Sequence, residues 1–192
     1  MTVPFHDDGG FWLFGYGSLI WKPDVPFDAR TPARLHHWTR RFWQGSHDHR
    51  GTPEAPGRVV TLVELAGAVC DGVAFRVPGA DAGTILERLD HREKNGYERH
   101  ALALQTPDGA IEALVYVAVP GNFAWLGEAH EDEVATHIHG AHGPSGANRD
   151  YLLELDQALT DLGAEDAHVR GLAHRVRRLA GGANDSAENK TA

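Results

Sequence analysis

The hydrophobic period of this chain changes once, about two thirds of the way along, and that change constrains its fold class. Up to residue 119 the apolar residues come in short runs, at 11–16, 35–43, 58–64, 69–77, 100–105 and 111–119. In the last run Ile111, Ala113, Val115, Val117 and Val119 recur at every second position, which puts them on one face of a strand. Gly, Pro or Asp separates most of the runs, and Leu65-Ala66-Gly67 and Pro107-Asp108-Gly109 have hairpin length. Neighbouring strands so joined are expected to be antiparallel. One helix interrupts the series at 81–92, with Ile85, Leu86 and Leu89 on one face and Asn95-Gly96 as its stop.

Beyond residue 130 the spacing becomes helical. Glu131-Asp132-Glu133 suits a helix N-terminus, where aligned peptide dipoles leave partial positive charge; Val134, Ile138 and Ala141 follow at helical intervals. After Gly143-Pro144-Ser145-Gly146, one apolar stripe runs through Leu152, Leu155, Leu159 and Leu162, and another through Val169, Leu172, Val176 and Leu179. This order predicts an α+β fold: a small, mostly antiparallel six-stranded β-barrel with flanking helices. With 192 residues, 42% of them hydrophobic, the chain suits one core, expected as a single domain over 1–180. Residues 181–192 are small, polar and aperiodic, and are expected to form a disordered tail.

The 27 acidic and 18 basic side chains leave a formal charge of −9, which argues against nucleic acid or an anionic membrane as partner. Arg30, Arg34, Arg40, Arg41, Arg50 and Arg58 form a local exception, read either as a basic patch for an anionic ligand or as a solvated strand face. The single cysteine, Cys70, sits in an apolar stretch. It admits no internal disulfide and points to a reducing, cytoplasmic setting. The N-terminal residues have no basic start and no long apolar run, so neither a signal peptide nor a membrane span is expected.

Two segments carry candidate chemistry. In Phe14-Gly15-Tyr16-Gly17-Ser18-Leu19-Ile20 an apolar strand breaks on small residues; the glycines either simply turn the chain or let a ligand approach the backbone N–H groups. Ile20 stands where a dinucleotide fingerprint needs its third glycine, no phosphate-loop Lys-Ser/Thr pair follows, and Ser18 lacks the trailing glycine of a nucleophile elbow. In Arg92-Glu93-Lys94-Asn95-Gly96-Tyr97 a carboxylate falls at a helix end. Its neighbouring cations favour an ionised general base and the helix dipole opposes it; a plain surface glutamate in a charged turn is the alternative.

Thirteen histidines include His137, His139 and His142, but His137 and His139 point about 200° apart on a helix. No cysteine or carboxylate completes a ligand set at that spacing, and no metal is expected. Trp38, Phe42 and Trp43 suit a core or a pocket wall. Tyr151 opens a helix, either at the core edge or within reach of a ligand.

Taken together, Phe14 to Pro23, Arg40-Arg-Phe-Trp-Gln-Gly-Ser, Asp48-His-Arg-Gly-Thr-Pro, Pro56-Gly-Arg-Val-Val-Thr-Leu, Arg92-Glu-Lys-Asn-Gly-Tyr and Gly143-Pro-Ser-Gly-Ala-Asn resemble the ChaC family of γ-glutamylcyclotransferases, in order, over residues 12–160. The resemblance implies a small barrel with flanking helices, glutathione as substrate, 5-oxoproline and cysteinylglycine as products, and no cofactor. It also implies that Glu93 is the catalytic acid/base and that Gly15, Tyr16, Gly17, Ser18, Leu19 and Ile20 form the substrate-binding loop. Arg41 and Tyr151 are expected to bind substrate carboxylates, since arginine pairs with them in bidentate fashion. A non-catalytic γ-glutamyl-binding module and a cyclotransferase for other γ-glutamyl amines are the alternatives. Asn95 stands where the family usually has glycine, and the histidine-rich helix leaves room for a private metal or pH response.

Overall fold

The computed structural model describes residues 3–188, and side chains as far as Gly181. Five strands close into a barrel in the order β1-β3-β2-β4-β5: β1 (Phe11–Gly15), β2 (Ala29–Ser46), β3 (Gly57–Val77), β4 (Tyr97–Thr106) and β5 (Gly109–Ala118). Only the closing pair, β1 with β5, is parallel. The turn expected at 107–109 joins β4 to β5, and Ala113, Val115 and Val117 share a buried face as their alternation requires.

The barrel has five strands rather than the expected six, because the runs at 58–64 and 69–77 belong to one strand. Both halves of β3 pair with β2: Val59 to Glu64 lie along Gln44 to Trp38, and Val69 to Arg76 along His36 to Ala29. Between them His37 alone stands opposite residues 65–68, so the segment read as a hairpin is a bulged corner. Gly67 and His37 both take positive φ there, +80° and +67°, and the Gly67 N–H points to His37 Nδ1 at 3.4 Å. A corner and a hairpin share glycine chemistry, and the partner strand distinguishes them.

The helices fall where expected and cover opposite faces of the sheet. Ile85, Leu86 and Leu89 of α1 (Ala82–Arg92) pack with Phe11, Leu13, Leu114 and Tyr116. The other faces of β1 and β5 join α2 (Glu131–Gly140), α3 (Asn148–Asp161) and α4 (Ala167–Glu188) in the larger core. Leu152, Leu155 and Leu172 are fully buried in it, each worth ~1.5–3 kcal/mol of burial. At the start of α3 the Asn148 carboxamide is inserted against β3: Oδ1 accepts from the Arg58 N–H at 2.6 Å and Nδ2 donates to the Arg58 carbonyl at 2.8 Å. That pairing docks Tyr151, one turn further on, against the barrel.

A two-residue ribbon, β6 (His142–Gly143) with β7 (Gly146–Ala147), precedes α3. His142 therefore lies outside the helix that holds His137 and His139. Among the described residues no three His, Cys, Asp or Glu side chains gather as a ligand set, and no helix is long and apolar enough to cross a membrane. The expected tail at 181–192 overlaps the end of α4, and residues 189–192 lie outside the described residues.

The arginine-rich segment is not a single patch. Arg34 is exposed and pairs with Asp71 at 2.9 Å, Arg40 is buried against Asp166, and Arg58 is buried and donates to the Phe42 and Gly127 carbonyls. Arg34 and Arg40 would share a face under strict alternation, but the bulge at His37 reverses the parity of β2 and turns Arg40 inward.

Candidate active site

The loop after β1, the end of β2, the start of β3 and the C-terminal end of α1 converge on a cavity of about 600 Å³, with Tyr97 and Tyr151 in its wall. Both candidate segments from the sequence reach it. Tyr16, Gly17, Ser18 and Leu19 line one part, and Arg92, Glu93 and Asn95 another.

β1 stops at Gly15 and the chain turns into a short 3-10 helix, Ser18–Ile20. Neither glycine of the loop uses positive φ; what each supplies is room. A Cβ on Gly15 would lie 2.8 Å from the Leu19 Cβ, and one on Gly17 would lie 3.0 Å from both the Tyr151 hydroxyl and Val60 Cγ2. Gly15 thus lets the loop fold back on itself, whereas Gly17 keeps the cavity wall open. The N–H groups of Gly17, Ser18 and Leu19 have no acceptor among the described residues, as expected for the first turn of a helix. Gly15 and Ile20 stand behind the cavity wall, and Ile20 packs on the larger core.

Glu93 caps α1. Its N–H donates to the Leu89 carbonyl at 2.8 Å, and its carbonyl accepts from the Tyr97 N–H at 3.3 Å. The side chain, 19% exposed, has Oε1 at 3.3 Å from Arg92 Nε. Burial pushes the carboxyl above the ordinary glutamate range; Arg92 pulls it back, and the nearby Asp48 carboxylate adds to the rise. The adjacent cations were expected to hold this group ionised, but Lys94 turns away to Asp48, at 4.0 Å. Asp48 is fixed in turn by Asn95, whose Nδ2 donates to Oδ1 at 2.8 Å.

Three phenols lie near Glu93, those of Tyr16 and Tyr151 on buried residues and that of Tyr97 on a half-buried one. Burial, aided by the Glu93 charge, raises Tyr16 and Tyr97 well above the ordinary tyrosine value and Tyr151 to about 12. All three are therefore neutral near pH 7. Tyr16 donates to the Tyr116 carbonyl at 2.6 Å and Tyr97 to the Val60 carbonyl at 2.7 Å.

The cavity also holds cations, one of them Arg50 from the arginine-rich segment and three that the sequence did not mark as ligand-binding. Lys22, Arg50, Arg88 and Arg92 line it, against Asp24, Asp48 and Glu93. Arg92 Nη2 donates to Ser18 Oγ at 2.7 Å, and the Arg50 guanidinium lies 5.6 Å from the centre of the Tyr151 ring. Arg41 does not reach this cavity. It donates to Thr39 Oγ1 and the Arg40 carbonyl, and lines a separate cavity of about 470 Å³ with Trp43 and His168. Its neighbour Arg40 takes the inward position on β2, and alternation sends Arg41 the other way. The helical phase of Arg88 and Arg92, one turn apart and beside Glu93, was the available signal for the cations that do line the site.

The arrangement suits one kind of chemistry. A carboxylate able to accept and return a proton faces a cavity whose other side offers free N–H donors for a carbonyl oxygen. Flanking guanidinium groups match carboxylates on a small, zwitterionic ligand.

The family model described as ChaC-like protein matches residues 11–179 of the chain. Gamma-glutamylcyclotransferase 2-3 of Arabidopsis thaliana is 44% identical over 177 residues, covering 88% of this chain and 89% of that protein. Glutathione-specific gamma-glutamylcyclotransferase 1 of Mus musculus is 39% identical, covering 90% and 81%. Among solved structures, the yeast gamma-glutamyl cyclotransferase specific to glutathione superposes with a TM-score of 0.84 at 32% identity, over 88% of this chain and 96% of that one.

Proposed function

Because the chain belongs to the ChaC-like family, we infer that it is a glutathione-specific γ-glutamylcyclotransferase, converting glutathione to 5-oxoproline and cysteinylglycine. Relatives with that function in their names span most of the chain at 34–42% identity. The bond that forms joins the α-nitrogen of the γ-glutamyl group to its own γ-carbonyl carbon. The bond that breaks is the amide to cysteine, and the atoms balance without a co-reactant.

In the mechanism we propose, Glu93 takes a proton from the α-ammonium, and the freed amine closes a five-membered ring. Because attack is intramolecular, the protein has only to hold a reactive conformer. The N–H groups of Ser18 and Leu19 stabilise the oxyanion that develops on the γ-carbonyl, and Glu93 returns its proton to the departing amine of cysteinylglycine. Arg92 and Arg50 take the carboxylate-binding role first assigned to Arg41, while Tyr16, Tyr97 and Tyr151 supply a neutral wall that keeps Glu93 basic. The observation that carries this reading is the position of Glu93 in one cavity with the glycine loop, bridged by Arg92. The single cysteine, Cys70, is buried and admits no internal disulfide, which fits a reducing compartment, and we place the reaction in the cytoplasm.

The test is incubation of the purified protein with glutathione while both products are followed. Equal amounts of 5-oxoproline and cysteinylglycine are expected. Absence of product overturns the assignment, binding without turnover replaces it with a γ-glutamyl-binding module, and preference for another γ-glutamyl amine moves the substrate.

A further inference from the structure

The segment Arg40 to Ser46 gives the cavity wall only Gly45 and Ser46, yet two of its buried side chains each end on a backbone carbonyl belonging to one half of the site. Arg40 is 1% exposed. Its Nε donates to the Tyr16 carbonyl at 2.6 Å, Nη2 donates to the Asp71 carbonyl at 2.6 Å, and Nη1 pairs with Asp166. Gln44 is fully buried, and its Nε2 donates to the Asn95 carbonyl at 2.6 Å. Tyr16 immediately precedes Gly17, and Asn95 lies two residues beyond Glu93.

Gln44 is itself held in place. Asn122 Nδ2 donates to Gln44 Oε1 at 3.0 Å, and Gln44 Nε2 donates back to Asn122 Oδ1 at 3.2 Å. Asn122 also donates to the Val119 carbonyl and accepts from the Ala124 N–H, both at 2.8 Å. The Glu93 turn is pressed against this pair: Gly96 has φ +93°, and a Cβ there would lie 2.4 Å from Asn122 Cγ. Buried polar groups satisfied this fully are costly to move, since any displacement leaves donors and acceptors unpaired in a medium of low polarity. The glycine loop and the Glu93 turn, both irregular, thereby acquire fixed points.

We propose that β2 acts as a two-point gauge for the site, with Arg40 positioning the glycine loop through the Tyr16 carbonyl and Gln44, backed by Asn122, positioning Glu93 through the Asn95 carbonyl. Arg40 and Gln44 are both buried on β2; a bulge between Arg41 and Gln44 shortens the four-residue step, so that their partners on β3, Leu62 and Val59, are three residues apart, about 10 Å. One strand therefore sets the distance between the group that holds the substrate and the group that moves its proton. Both are positioning residues, and neither lines the cavity. The proposal rests on the cyclotransferase reading, and it separates the two halves of the site kinetically.

Parental turnover of glutathione is measured first, then Arg40→Lys and Gln44→Ala, with kcat expressed per folded enzyme from melting curves. Gln44→Ala is expected to lower kcat by about 10–100-fold, the scale of an ångström-sized misplacement of a catalytic group, and to leave KM within about twofold. Arg40→Lys is expected to raise KM by about 5–10-fold as well as lower kcat, because the loop it positions both holds the substrate and carries the oxyanion donors; the KM rise is what sets it apart from Gln44→Ala. Loss of general stability does not divide the two parameters in this way. If Gln44→Ala fails to fold, Asn122→Ser, which removes the partner of Gln44, is read in its place with the same expectation for kcat. A kcat within twofold of the parent, or parallel changes in both variants, overturns the proposal. Without parental turnover the cyclotransferase reading falls, and glutathione binding by calorimetry decides this one: weaker binding in Arg40→Lys alone upholds it, and no difference between the variants overturns it.

Discussion

Ser18 Oγ accepts a hydrogen bond from Arg92 Nη2 at 2.7 Å, joining the glycine loop to the end of α1 across 74 positions of sequence. The same guanidinium has Nε 3.3 Å from Glu93 Oε1, so one cation touches both halves of the site. Its charge can face a substrate carboxylate while its hydrogen bonds keep the loop and the base in register.

Ser18→Ala removes the acceptor and releases Arg92 from the loop. Because the lost bond is charge-assisted, kcat/KM is expected to fall about tenfold, the equivalent of ~1.4 kcal/mol. The melting temperature should change little, since Ser18 is not among the buried residues. Steady-state kinetics and a melting curve check both. An unchanged kcat/KM removes the bridge from the mechanism.

Glu93→Gln keeps the shape of the side chain and removes the base, so turnover should fall by at least about 100-fold, within the range attributed to general acid–base groups. Stability should move the other way. Burial raises the carboxyl in the folded protein above its ordinary value of 4.5, so the unfolded chain releases this proton first as pH rises. The stability Glu93 contributes is full below 4.5 and is lost as pH rises through the folded value. At pH 7 the glutamine variant is therefore expected to melt at or above the parent, with the gap closing below about pH 4. A lower melting temperature at pH 7 contradicts this.

The pH profile tests the same group from the side of activity. Only ionised Glu93 can take a proton, so the acid limb of kcat/KM should have its midpoint above 4.5, the ordinary value of the group. Asp48→Asn removes an anion that contributes to the rise, and the midpoint is expected to move down. An upward move shows that another group sets the limb.

Gly17→Ala places a methyl group 3.0 Å from the Tyr151 hydroxyl and from Val60 Cγ2. That contact is tighter than an ordinary van der Waals approach, so the loop must shift by a few tenths of an ångström. The expected result is a fold intact by circular dichroism and kcat/KM reduced by about 10-fold or more. Activity equal to the parent shows that the wall has slack.

Arg41→Ala provides the contrast. The side chain lines the separate cavity beside Trp43 and His168, so KM for glutathione should stay within about twofold of the parent. A large rise in KM restores Arg41 to the binding site.

What the sequence determined by itself was local. Period two in Ile111 to Val117 and the helical stripes of Leu152 to Leu159 and Val169 to Val176 name their elements, because each pattern lies within one segment. The glycine loop and the Glu93 turn were legible for the same reason: small residues ending a strand and a carboxylate ending a helix are local signals. Three features were decided only by tertiary structure. Whether Leu65-Ala66-Gly67 closes a hairpin or bends one long strand depends on which strand lies opposite, and β2 pairs with both sides. Arg40 goes inward to Tyr16 and Arg41 outward, although the two are adjacent in a motif that does not say which face the barrel buries. Glu93 is flanked by two cations in sequence yet its carboxyl is raised, because desolvation is set by all that packs around a group and not by its neighbours along the chain.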